Sequence, residues 1–86
     1  MRIKVYGADW CGDTKRTLQY LDDSNVNYDY IDVENDEAAS EWVKSQNDGK
    51  ERKPTVLVGS QVLSVPSEIE LKAALESESE ANKQVR

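Results

Sequence analysis

The chain has 86 residues, a formal net charge of −6 and 37% hydrophobic residues, which is room for one small core and no second domain. Its apolar runs never exceed three residues, which excludes a membrane span of ~20, and Met1-Arg2-Ile3-Lys4 lacks the apolar stretch of ~7–15 residues that a secretion signal needs. One cysteine and no histidine leave no internal disulfide and no single-chain zinc site of the ordinary kind, so any disulfide must be with another molecule.

Alternation around Ile3 and Val5, interrupted by Gly7, predicts a short first strand over residues 2–6. A first helix follows from about Asp13 to Asp23, where Thr14, Thr17, Leu18 and Leu21 recur at three-to-four spacing and Ser24-Asn25 closes the segment. Its start falls at or just after Cys11. Tyr28 to Val33 is rich in aromatic and β-branched residues and reads as a second strand. A helix between two such strands makes a right-handed parallel βαβ unit. Asn35 or Asp36 can cap a second helix whose inner face carries Ala38, Ala39, Trp42 and Val43. Asn47 to Lys53 contains no apolar residue and is a loop.

Thr55 to Val58 and Gln61 to Ser64 form an antiparallel hairpin about Gly59-Ser60, a pair suited to a type II′ turn. Ser67 and Glu70 have capping-box spacing ahead of Leu71, Ala74 and Leu75, so the last helix runs from about Ser67 to Ser77. That divides the chain into a domain over 1–77 and a polar tail over 78–86; residues 76–86 can prolong the helix into solvent or fray, and they offer little to bury. The order βαβαββα predicts an α/β fold built on a four-stranded mixed sheet with three helices.

Charge is unevenly placed. Residues 1–75 carry fourteen acidic and nine basic side chains, and five of those nine lie in Lys15-Arg16 and Lys50 to Lys53. The acidic balance argues against a nucleic-acid surface, which needs a basic face to neutralise phosphates.

The first strand delivers Cys11 to a helix N-terminus. Unpaired backbone N–H groups and the positive end of the helix dipole favour thiolate there, and comparable positions lower a cysteine pKa from ~8.5 to ~3.5–7.5. Thr14, three residues on, can donate a hydrogen bond to the sulfur. Lys15 and Arg16 add positive charge while Asp9 and Asp13 subtract it, which leaves the size of the shift open. A lone cysteine is otherwise a small buried hydrophobe, but polar, turn-forming neighbours favour a reactive one here. Trp10 can shield the sulfur or contact a protein substrate, whereas Trp42 reads as packing. Tyr6 can face the active site, though a strand-end tyrosine more often packs with its hydroxyl at the surface, and Tyr28 and Tyr30 belong to the sheet.

Val5-Tyr6, Trp10-Cys11-Gly12-Asp13-Thr14-Lys15-Arg16, Lys53-Pro54-Thr55-Val56 and Val65-Pro66-Ser67 together resemble the glutaredoxins, nearest the short bacterial glutaredoxin-like and mycoredoxin-like proteins, over about residues 2–75. The resemblance implies a thioredoxin fold in which Pro54 is cis and faces the reactive cysteine, with the Lys53 backbone pairing to the cysteinyl part of bound glutathione. It implies catalytic roles for Cys11 and Thr14, and contacts to substrate or thiol from Trp10, Lys15, Arg16, Arg52, Lys53, Pro54 and Ser67. The basic side chains and the Ser67 helix N-terminus would receive the ligand's carboxylates around one cleft, a basic rim on an acidic protein.

Three positions depart from the family pattern. Thr14 stands at the second cysteine of Cys-x-x-Cys, so the dithiol cycle is unavailable. Ala8 stands where many glutathione-binding members have lysine, and Asp13 stands where the cluster-holding Cys-Gly-Phe-Ser members have phenylalanine. The leading expectation is therefore a cytoplasmic, monomeric, monothiol oxidoreductase acting on protein mixed disulfides. Its cofactor would be glutathione or a similar low-molecular-weight thiol, not tightly bound, with no nucleic-acid, membrane or metal partner. Two other readings are a non-catalytic binding module and a carrier in which two chains and two external thiols hold a [2Fe–2S] cluster.

Overall fold

The computed structural model describes residues 2–84. The elements are β1 (Ile3–Gly7), α1 (Gly12–Asp23), β2 (Asp29–Asp32), α2 (Glu37–Gln46), β3 (Thr55–Val58), β4 (Gln61–Ser64) and α3 (Glu68–Gln84). They form one four-stranded sheet in the order β2-β1-β3-β4. β1 runs parallel to β2, with Val5 opposite Tyr30, and antiparallel to β3, with Val5 opposite Val56. The β3–β4 pair is antiparallel and closes at Val58 and Gln61. Between them, Gly59 has φ 60, the positive value that the first central residue of a type II′ turn requires.

The period-2 alternation of strand side chains sorts the core into two layers. Ile3 and Val5 of β1 join Val56, Val58, Leu21 of α1, and Leu71 and Ala74 of α3 on one face. Tyr6 points the other way and packs with Val33, Ala39, Val43 and Trp42 beneath α2. Its ring stacks on Trp42 with centroids 4.6 Å apart. Burial, with the charge of Asp36 behind it, raises the Tyr6 pKa above the ordinary phenol value. Both helix-facing layers follow from the apolar spacing, with one difference: Ala38 is exposed, because the buried stripe of this short helix is only wide enough for Ala39 and Val43. Asp36, not Asn35, is the cap, accepting from the Ala39 N–H at 3.0 Å.

The last helix takes the longer of its two expected forms. It starts on the Ser67 capping box and continues through Ser77 to Gln84. No glycine or proline interrupts it, and its Glu, Ala, Lys and Gln residues are good helix formers. Glu78 ties this extension to the hairpin, accepting from Ser60 Oγ at 3.3 Å and Gln61 Nε2 at 3.1 Å. Residues 85 and 86 of the expected tail lie outside the described residues.

Candidate active site

Cys11 is the N-cap residue of α1, in an extended conformation (φ −80, ψ 121), directly after the loop that leaves β1. Its thiol donates a long hydrogen bond, 3.7 Å, to the Lys53 carbonyl ahead of β3. The Lys53–Pro54 peptide is cis, as the resemblance implied. β1 and β3 are neighbours in the sheet, so residues 42 apart in sequence meet at the ends of adjacent strands.

Ionisation of Cys11 is favoured. Burial opposes it most strongly, but hydrogen bonds from the Thr14 hydroxyl, the Thr14 N–H and the Asp13 N–H outweigh burial and the nearby Asp13 charge, and the pKa falls below the ordinary thiol value. Thr14 is fully buried and its Oγ1 accepts from the Ala8 N–H at 3.4 Å, which leaves the hydroxyl proton free for the sulfur. Close approach of β1 locks this arrangement. A Cβ on Gly7 would stand 2.5 Å from Thr14 Oγ1 and 2.6 Å from its Cγ2, so only glycine fits there.

Thr14→Val is therefore expected to move the pH profile of Cys11 alkylation upward, toward the ordinary thiol range, and to leave the Ala8 N–H unpaired at a stability loss of about 1–3 kcal/mol. Thr14→Ser should restore both. An unchanged alkylation profile in the valine variant would remove Thr14 from the ionisation machinery.

The side chains around the sulfur are held by acids. The Trp10 ring is 63% exposed, yet its indole N–H donates to Glu34 at 2.8 Å and the Lys53 ammonium lies 5.3 Å from its centroid. Lys53 in turn donates to Glu51 at 2.8 Å. The bonds to Glu51 from Lys53 and the Ser40 hydroxyl keep that carboxyl below its ordinary pKa. Tyr30 donates to Asp9 at 2.6 Å, and burial first, then the bond to Asp9, pushes its pKa well up, so the phenol stays neutral.

A cleft of about 390 Å³ opens on the α1–α3 side. Asp13 and Arg16 line it from α1, and Val65 through Glu68 with Glu70 line it from the start of α3. Val65 takes φ 45 at the lip, a left-handed conformation that is strained for a β-branched residue, with its N–H donating to the Pro54 carbonyl at 2.8 Å.

Trp10, Thr14, Lys53 and Pro54 are thus gathered at Cys11, while Arg16 and Ser67 face the cleft. Of the basic residues expected at the rim, Arg16 lines this cleft and Lys53 lies beside Cys11 and Trp10. Lys50, Arg52 and Lys53 are absent from the cleft lining, Arg16 is ion-paired with Asp13, and Lys53 with Glu51. Lys15, Lys50 and Arg52 are exposed and form no ion pair among the described residues. The carboxylate of Glu34 carried no local sequence signal, because its partner Trp10 comes from another segment of the chain, whereas Glu51 takes Lys53 from its own loop and Ser40 from α2. Glu70 was visible only as half of a capping box.

A cis-proline beside a thiol at the N-cap of the first helix, on a four-stranded sheet of this order, defines a thiol oxidoreductase of the thioredoxin fold. The chain belongs to the glutaredoxin family, whose model matches residues 3–63. It is 48% identical over 54 residues to mycoredoxin 1 of Corynebacterium glutamicum, a match covering 63% of this chain and 66% of that protein. A Mycobacterium tuberculosis protein designated a glutaredoxin is 36% identical over 74 residues, covering 85% of this chain and 88% of the relative. The crystal structure of a glutaredoxin from Archaeoglobus fulgidus superimposes with a TM-score of 0.74 at 26% identity, covering 86% of this chain and 85% of the other.

Proposed function

We propose that the chain is a monothiol disulfide oxidoreductase that exchanges a low-molecular-weight thiol, glutathione or a similar one, with protein mixed disulfides. The observation that carries this reading is a low-pKa thiol at a helix N-cap with Thr14, and no second cysteine, three residues on. The Cys11 thiolate attacks the small thiol's sulfur in the mixed disulfide, forming a Cys11–small-thiol disulfide and releasing the protein thiolate. A second small thiol then attacks that adduct, leaving as the symmetrical disulfide and returning the Cys11 thiolate. One cysteine completes the cycle.

Support comes from the surroundings. The Lys53 carbonyl at 3.7 Å from the sulfur is within reach of a ligand backbone laid along it. Trp10, tied down by Glu34, offers an exposed aromatic wall to a protein partner. Incubation with glutathione disulfide should yield a mixed-disulfide adduct on Cys11 by intact mass, discharged by added reduced thiol. Absence of any adduct would sink the reading and leave the domain as a docking module.

A further inference from the structure

We propose that Glu51 is a positioning residue for exchange with protein mixed disulfides: through the Lys53 ammonium it holds the Trp10 ring in one orientation beside Cys11, so that a protein partner meets a fixed aromatic wall. This deepens the monothiol reading above and rests on it.

Trp10 is 63% exposed, and a side chain that open to solvent ordinarily changes rotamer within nanoseconds. Here the ring is held at two points. Its N–H donates to Glu34 at 2.8 Å, and the Lys53 ammonium lies 5.3 Å from its centroid. A lysine does not stay on an exposed ring unaided, because its ammonium is strongly hydrated and its four-carbon stem is flexible. Glu51 supplies the missing restraint. Its Oε1 accepts from Lys53 Nζ at 2.8 Å and its Oε2 accepts from the Ser40 hydroxyl, so the carboxylate is fixed to α2 on one side and fixes the ammonium on the other. The Lys53 and Glu51 side chains are 17% and 25% exposed, whereas every side chain in the other ion pairs among the described residues is at least 44% exposed. Solvent and salt therefore screen this pair least. The same two bonds hold Glu51 below the ordinary carboxyl pKa and keep it charged at neutral pH. Lys53 also offers its carbonyl to Cys11 Sγ at 3.7 Å, so one residue touches both the sulfur and the indole beside it.

A ring already fixed needs less ordering when a partner binds, so losing the restraint should raise KM and leave kcat in place. The variant is Glu51→Ala and the probe is glutathionylated serum albumin. Its KM should rise by about two- to fivefold, the size that an exposed cation–π contact carries. In a Trp10→Ala background the same substitution should add nothing, because Glu51 then has no ring to act on. The heteronuclear NOE of the Trp10 indole N–H, told apart from Trp42 by the spectrum of Trp10→Phe, should fall in Glu51→Ala as the ring gains fast motion. Fully additive effects of the two alanine substitutions, or an unchanged NOE, overturn the proposal while leaving the monothiol reading intact. No exchange by the wild type with the albumin probe or with glutathione disulfide overturns both.

Discussion

Replacing Cys11 with serine is expected to remove exchange with a glutathione mixed disulfide, a loss of at least ~10³-fold, in line with loss of a covalent nucleophile. The hydrogen bonds from Thr14 and Asp13 lower the pKa of the thiol, but a serine hydroxyl starts far too high for the same donors to make it an alkoxide. Stability should move the other way. Position 11 is the N-cap of α1, where serine is among the preferred residues, so the variant should hold its fold or gain up to ~1 kcal/mol in urea melts.

The pH dependence has a definite sign. A thiol with a depressed folded pKa stabilises the native state above its unfolded pKa, and that contribution is lost as pH falls through the folded value. The stability of wild type relative to Cys11→Ser should therefore climb as pH rises between those two values and then level off. Retained exchange in a folded serine variant would assign the activity elsewhere.

Leu71→Ala is expected to produce the largest loss of stability. Leu71 is 1% exposed and, with Ala74, anchors α3 against Val5, Val56 and Val58 of the sheet. Truncating a buried leucine costs about 2–5 kcal/mol, a large share of the ~5–15 kcal/mol that stabilises a typical domain. The urea midpoint should fall by roughly 1–3 M with little change in slope. Leu71 also lines the cleft, so its loss should loosen the start of α3 and slow exchange at Cys11 even below the melting range. Ile69→Ala, two residues away but 81% exposed, serves as the control and should change stability by no more than about 0.5 kcal/mol. Equal losses in both variants would mean that α3 is not held by its buried stripe.

Much of the architecture was legible along the chain because its signals are short-ranged. The alternation of Ile3 and Val5 and the recurrence of Thr14, Thr17 and Leu21 each span only a few residues, and so do the Gly59 turn and the Ser67–Glu70 box. The placement of Cys11 at a helix start follows from the same local pattern. One local reading missed its mark and one had been left open, each for a physical reason. Ala38 lies just off the buried stripe of α2, and α3 runs past Ser77 because good helix formers continue and Glu78 finds partners on the β3–β4 turn.

Composition and spacing were enough to specify one small α/β domain with a single reactive thiol at a helix N-cap, since those properties depend on nearest neighbours in the chain. The long-range contacts of the site were a tertiary outcome. Lys53 with Glu51, Arg16 with Asp13 and the Ser67 N–H with Glu70 are pairs no more than three residues apart, whereas Glu34 reaches Trp10, and the Lys53 carbonyl reaches Cys11, only through the fold. Coulombic and hydrogen-bond energies depend on separations of a few ångströms. The Trp10–Glu34 contact, like that of Cys11 with Lys53, joins segments more than twenty residues apart, so only the packing of the strands and helices could bring those partners within range.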